Sequence, residues 1–371
     1  MATINELHIQ NTRKKRDAYW DNIKGVLIIL VVFAHCLYDL RDSHLNAVIV
    51  ESIYYFHMPA FIFVSGYFSK SENSHSKKSI LFLLVAYFIF ITPFVVRAMI
   101  LGNEPKIIKP YYSAWYLLVL MICRLITPHL AKCKYIFPAS VLFTILVGYW
   151  NDFSTTASLG IRKLVVFYPF FVAGYLLSGD TVEKIFRRKT ALTRLLSGGV
   201  LLVLAGMCEL YTHKWLHITL NDLLPGVYKA FNIEEALIRM SIMIVSCLVI
   251  TALLMLSPEM RIPFLTTTGK NTLSIFIMHR LFTLLFSKSS YVSAMPVYTQ
   301  ILLAAALTLL IILLFGNDLF SGKFNLLIRR CAEGMLEHEG TNRELIAYKI
   351  FIYVLIGFLF VMPIIVKAVR L

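Results

Sequence analysis

Stretches of about 15 to 22 predominantly apolar residues recur along the whole chain, each long enough, or nearly so, to cross about 30 Å of hydrocarbon as a helix. They fall at about 22–39, 47–68, 79–101, 113–128, 135–150, 161–178, 195–212, 237–256, 270–287, 298–315 and 347–368. A backbone inside a bilayer must satisfy its own polar groups, so runs of this length predict an all-α, polytopic transmembrane helix bundle of about 10–11 spans. Composition agrees: of 371 residues 58% are hydrophobic and only 15% charged, with a mean hydropathy of +0.72. A soluble globular domain does not have that balance.

The formal net charge of +15 would suggest nucleic acid in a soluble protein, but here the cations sit between apolar runs. Lys70, Lys77 and Lys78, then Lys132 and Lys134, then Lys184, Arg187, Arg188, Lys189 and Arg194, then Arg261 occupy alternate loops. The positive-inside rule places those loops and the N-terminus in the cytoplasm of a multi-pass cell-membrane protein, with the bilayer, not nucleic acid, as its surroundings. Arg41, the 102–112 segment, Asn151 to Gly160 and the 213–236 loop then lie outside. The segment Asp318 to Glu344 is too charged to span and reads as a cytoplasmic loop or interfacial helix. An odd number of spans would put the C-terminus outside, against the cations Lys367 and Arg370. No repeat, linker or low-complexity tract divides residues 1–371, which read as one integral-membrane domain. About twenty polar residues precede the first apolar run and no cleavage site follows it, so that span is expected to be retained. The six cysteines lie mostly within apolar runs or on expected cytoplasmic loops, without a C-x-x-C pair, which predicts free thiols and no metal site.

The first span carries the chemistry most open to reading. Basic residues Arg13 to Arg16 precede it, and the run from Ile23 to Leu37 is broken only by Lys24, Gly25 and His35. At about 100° per residue, Lys24 and His35 fall within about 20° of each other, with Asp21 and Asp39 near the same stripe. His35 then sits roughly 16 Å beyond Lys24, inside the hydrocarbon. An ionisable group there either serves function in a cavity or bonds a neighbouring helix. Cys36 beside it points about 100° away, which argues against a Cys-His pair. In the second span Glu51, Tyr55, Met58, Ile62 and Ser65 share one stripe, His57 faces elsewhere, and Pro59 removes the backbone bond to the Tyr55 carbonyl. Ser65 and Gly66 permit close helix packing, and with no G-x-S-x-G elbow Ser65 is not read as a nucleophile. Trp115 and Tyr116 read as an interfacial aromatic belt, and His279 as a second intramembrane histidine bonding a neighbouring helix.

Three stretches carry a resemblance: D-N-I-K-G-V-L-I-I-L-V-V-F-A-H with ten residues between Lys24 and His35, F-H-M-P-A-F-I-F-V-S-G-Y-F at Phe56 to Phe68, and G-K-N-T-L-S-I-F-I-M-H at Gly269 to His279. In these the chain resembles the acyltransferase-3 family of membrane O-acetyltransferases. The family more often has arginine at the position of Lys24. Its arginine pair with two residues between, just after the second span, is replaced here by Lys77 and Lys78, and the next arginine is Arg97 at the far end of the third span. The resemblance implies transfer of an acetyl group from acetyl-CoA to a sugar hydroxyl of a cell-surface glycan or its lipid-linked precursor. Lys24 would meet the anionic donor, and Lys77 and Lys78 would either join it or be ordinary cytoplasmic flank charges. His35 would act as base or acyl carrier, with Asp39 one turn further out either bonding the imidazole or standing exposed on the loop. A transporter or flippase of lipid-linked sugars, or another acyltransferase fold in which only His279 matters, remains as an alternative.

Overall fold

The computed structural model describes residues 16–103, 110–149, 160–214, 233–336, 346–357 and 359. Residues 13–15 of the basic flank, the outer-loop tract 151–159, residues 337–344 and the C-terminal Lys367 and Arg370 lie outside these.

Over its described residues each expected apolar segment is helical. Among the described residues seven helical spans are long and apolar enough to cross a membrane: Ala18–Leu40, His44–Tyr67, Lys77–Ile100, Tyr112–Leu130, Ala191–Leu210, Ile233–Leu256 and Val297–Phe315. Ile161–Leu176 joins Gly179–Arg187 at an 83° bend, and the segments Ile136–Tyr149, Thr272–Ser287 and Ile346–Gly357 are shorter apolar helices among the described residues. Within them we number α1 Ala18–Leu37, α2 His44–Tyr54, α3 His57–Tyr67, α4 Lys77–Ile100, α5 Trp115–Leu130, α6 Ile136–Leu146, α7 Ile161–Leu176, α8 Ala191–Lys214 and α9 Ile233–Leu256. There follow α10 Pro263–Lys270, α11 Thr272–Ser287, α12 Val297–Phe315 and α13 Asp318–Leu336. Local signals set the ends: the Asp17 carboxylate accepts from the Tyr19 amide to cap α1, and Ser43 accepts from Asn46 to cap α2.

Helix α1 is the hub, packed by α2, α3, α10, α11 and α12. Its approach to α10 is possible because Gly25 meets the Leu265 carbonyl and Gly269 meets that of Asp21; an added Cβ at either would overlap those atoms. Gly66 and Gly174 do the same where α3 crosses α7, so the close approach expected at Ser65–Gly66 is real.

The span His44–Tyr67 is broken between α2 and α3, and so is the stripe read along it. Pro59 frees the Tyr55 carbonyl, and the Ser246 hydroxyl of α9 donates to it at 2.6 Å. The freed acceptor is therefore satisfied from a neighbouring helix.

The cation-bearing loops meet at one end of the bundle. There Arg187 pairs with Asp17, Lys189 donates to the Ser257 carbonyl, Lys70 to that of Leu177, and Arg16 to that of Lys270. Helix α13 lies at this end, where Lys78 pairs with Glu333 and Lys270 with Asp318 at 2.9 Å, as its charge suggested. Hydrogen bonds from Asn271 and Lys270 hold the Asp318 carboxyl below its ordinary pKa. At the opposite end Ser287 donates to Asp39, and the Asn46 amide donates to the Gln300 side chain, each at 2.7 Å.

Candidate active site

Three histidines from three helices converge near that second end. His35 of α1 stacks on His279 of α11 with ring centroids 5.3 Å apart, and His57 at the start of α3 stands 6.5 Å from His35. The break at Tyr55–Phe56 brings His57 here: without it the 3.6-residue period would have carried the ring elsewhere, as the sequence suggested. Carbonyls can only accept, so His57 Nδ1–H donates to Ile53 (2.9 Å) and His279 Nδ1–H to Phe276 (2.7 Å). Both rings then present a bare Nε2 when neutral. That of His279 is buried without a partner. His35 differs: its Nδ1 shares a 3.0 Å hydrogen bond with the Tyr54 hydroxyl, and it is the one ring of the three that is not buried.

A cavity of about 280 Å³ approaches these rings from the basic end. Lys24, Phe68 and Arg124 line it, and Ile28, Val31, Met58 and Phe276 form part of its apolar wall. Val31 and Phe276 lie about one turn short of His35 and His279, so the cavity points at the stacked pair. Ser65 also lines it, bonded to the Tyr116 hydroxyl at 2.8 Å. Lys24 pairs with the buried Asp21 at 2.7 Å, and Asp21 also receives Arg16 at 2.6 Å. Arg124 has neutral partners, the hydroxyls of Ser69 (3.2 Å) and Ser79 (3.0 Å), and makes no ion pair among the described residues. A cation on a cavity wall without a carboxylate can receive an anion.

Several expectations change. Asp39 does not bond the imidazole of His35: it lies in the 3₁₀ turn Tyr38–Leu40, whose tighter winding rotates it off the α-helical stripe toward Ser287. Lys77 and Lys78 do not line the cavity; Lys77 is exposed and Lys78 is paired with Glu333. Glu51 sits at the other end of the bundle, 3.5 Å from Arg41. Tyr116 is no interfacial belt residue but part of the cavity wall, while Trp115 stacks on Phe167 with centroids 5.2 Å apart. Cys36 faces Thr308 of α12, its Sγ 4.0 Å from the hydroxyl, away from His35 as helix geometry requires. Lys24, Asp21, Ser65, His35, His57 and His279 are brought to the cavity or its far end. Sequence reasoning missed Arg124, Tyr54 and Tyr116. Of these only Arg124, a charge inside an apolar run, left a signal.

The acyltransferase-3 family model, "Acyltransferase domain", matches residues 17–316, from the cap of α1 to the residue after α12. The chain belongs to this family. The match takes in both ends of the cavity and all three histidines, and stops short of α13. The chain is also similar to "Nodulation protein NolL" of Sinorhizobium fredii, 27% identical over 196 residues, which are 46% of this chain and 50% of that protein. A second "Nodulation protein NolL", from Mesorhizobium japonicum, is 43% identical over 58 residues, 15% of this chain and 16% of that protein. The chain thus matches half the length of the first relative and a sixth of the second. No solved structure matches.

Proposed function

We propose that this acyltransferase moves an acetyl group from acetyl-CoA to a hydroxyl of a cell-surface glycan or a lipid-linked sugar. The observation that carries the reading is the cavity: cations at one end, a largely apolar wall, and the stacked His35–His279 pair about one turn beyond its lining residues Val31 and Phe276. Lys24 and Arg124 fit the phosphates of such a donor, and the apolar wall fits its narrow arm. The thioester would then arrive at the histidines. His35 serves as the base. In the tautomer whose Nδ1–H donates to the Tyr54 hydroxyl, Nε2 takes the proton of the attacking hydroxyl, and Tyr54 holds the ring in place.

The same reading places the chain in the cell membrane with its N-terminus and basic end in the cytoplasm, where the donor is made, and the acceptor approaching from the opposite end. Cysteine labelling checks this. In a background where Cys133 and Cys247, the exposed thiols, are replaced, Asp42→Cys is expected to react with an impermeant reagent on intact cells and Thr190→Cys only after permeabilisation. The reverse pattern overturns the orientation. The activity is tested by mass spectrometry of surface glycans from cells with and without the protein. A gain of acetyl groups is expected. Unchanged acetylation with altered export of lipid-linked sugar would instead identify a transporter.

A further inference from the structure

Arg280 follows His279 on α11 and is only 4% exposed, yet its guanidinium Nε and Nη1 have no hydrogen-bond partner. Among the described residues it makes no ion pair. Its contact is with the ring of Tyr112, whose centroid lies 4.5 Å from Cζ. Tyr112 itself has φ +45°, a left-handed conformation that a bulky aromatic residue keeps only where its surroundings impose it. A permanent positive charge is thus held face-on by a strained aromatic, inside a membrane bundle, with in-plane donors left bare. Such a group is complete only when an anion reaches it.

Position selects the anion. Arg280 follows His279 on the helix, its charge acts on both rings of the His35–His279 pair, and it lies about one turn beyond Phe276 of the cavity wall. The cation nearer the outer mouth, Arg41, is already engaged by Glu51 and by the Tyr38 ring at 3.8 Å. We propose that Arg280 stabilises the oxyanion formed on the acyl carbonyl during transfer, a reading that rests on the acetyl transfer proposed above. As the acceptor oxygen bonds to the acyl carbon, its proton passes to Nε2 of His35 and the carbonyl π pair moves onto oxygen, to which the Arg280 guanidinium donates hydrogen bonds. Return of that pair breaks the carbon–sulfur bond, and the departing thiolate takes the proton from the imidazolium. Ester and thiol leave, and both side chains are restored.

The test uses the full chain purified in detergent, acetyl-CoA as donor, and hydroxylamine as a small acceptor without an acidic group, read as hydroxamate formed and thiol released above the uncatalysed reaction of the two reagents. Arg280→Gln is expected to lower kcat by about 10²- to 10³-fold, the range for one lost oxyanion donor, with the half-saturating acetyl-CoA concentration unchanged. Arg280→Lys should recover part of kcat, which a packing role would not produce. If the glutamine variant fails to fold, the lysine variant carries the test: reduced kcat at unchanged half-saturation supports the proposal, and wild-type kcat overturns it. Full activity of Arg280→Gln toward hydroxylamine, with loss only toward native glycans, would show that Arg280 binds an acidic acceptor and overturn the proposal. A raised half-saturation without a change in kcat would make it a donor anchor, with the same consequence. A wild-type protein that forms no hydroxamate and releases no thiol overturns the acetyl-transfer reading itself, and this proposal with it.

Discussion

Replacing His35 by alanine is expected to lower acetyl transfer by about 10²- to 10⁴-fold, the range for a positioned general base, while the protein still inserts and folds. A larger loss would point to an acyl carrier, because a missing nucleophile removes the covalent route altogether. The loss should persist at any donor concentration, since the variant lacks a reacting group and not an anchor. His279→Ala is the necessary companion. Its ring stacks on His35 and its Nε2 is buried without a partner, so it is the group nearest His35 in the cluster that could take a proton. Activity kept by a well-inserted His35→Ala and lost by His279→Ala would move the chemistry to α11. Single-turnover assays on both variants decide between them.

Arg124→Gln is expected to raise the half-saturating acetyl-CoA concentration by about 10- to 150-fold, the worth of one charge-assisted hydrogen bond of about 1.5–3 kcal/mol. Excess donor should restore most of the rate. Arg124 is the cleaner probe of the donor end because its partners are the neutral Ser69 and Ser79, which lose little when it is removed. Lys24 is more entangled. Its ammonium pairs with Asp21, which is 2% exposed, so Lys24→Ala also leaves a buried carboxylate to Arg16 alone. That variant should lose thermal stability as well as donor affinity, whereas Lys24→Arg should keep both. Donor titrations paired with melting curves in detergent separate the two effects. An unchanged donor dependence in Arg124→Gln would remove Arg124 from the site.

The spans were legible because burial in lipid writes itself as run length, and the Lys24–His35 stripe because α1 is an unbroken helix over which a fixed rotation can be counted. Counting failed where the winding changed. The 3₁₀ turn Tyr38–Leu40 turned Asp39 toward Ser287, and the break after α2 turned His57 toward His35, both departures from the 3.6-residue period assumed in the sequence reading. Tyr54 was unreadable for another reason. Its bond to His35 joins residues 19 apart on different helices, and nothing local in either segment encodes it. Arg124 was in view as a lone charge, but only the packing of α5 against Ser69 and Ser79 distinguishes a cavity cation from an ordinary flank.

The apolar wall between the cavity's two polar ends has a consequence for the membrane as a barrier. A void lined by Ile28, Val31, Met58, Leu117 and Phe276 offers water few partners and tends to stay dry, as hydrophobic constrictions in pores do. Beyond the bonded Ser65 and Tyr116, the apolar stretch between Lys24 and Arg124 on one side and the histidines on the other disfavours a continuous water wire. Protons crossing would have to leave one polar end and traverse a dry collar of about 10 Å, the rise from Lys24 to Val31. Titratable groups at both ends of a path through the bundle, kept apart by such a collar, favour a protein that leaves an ion gradient across the bilayer intact.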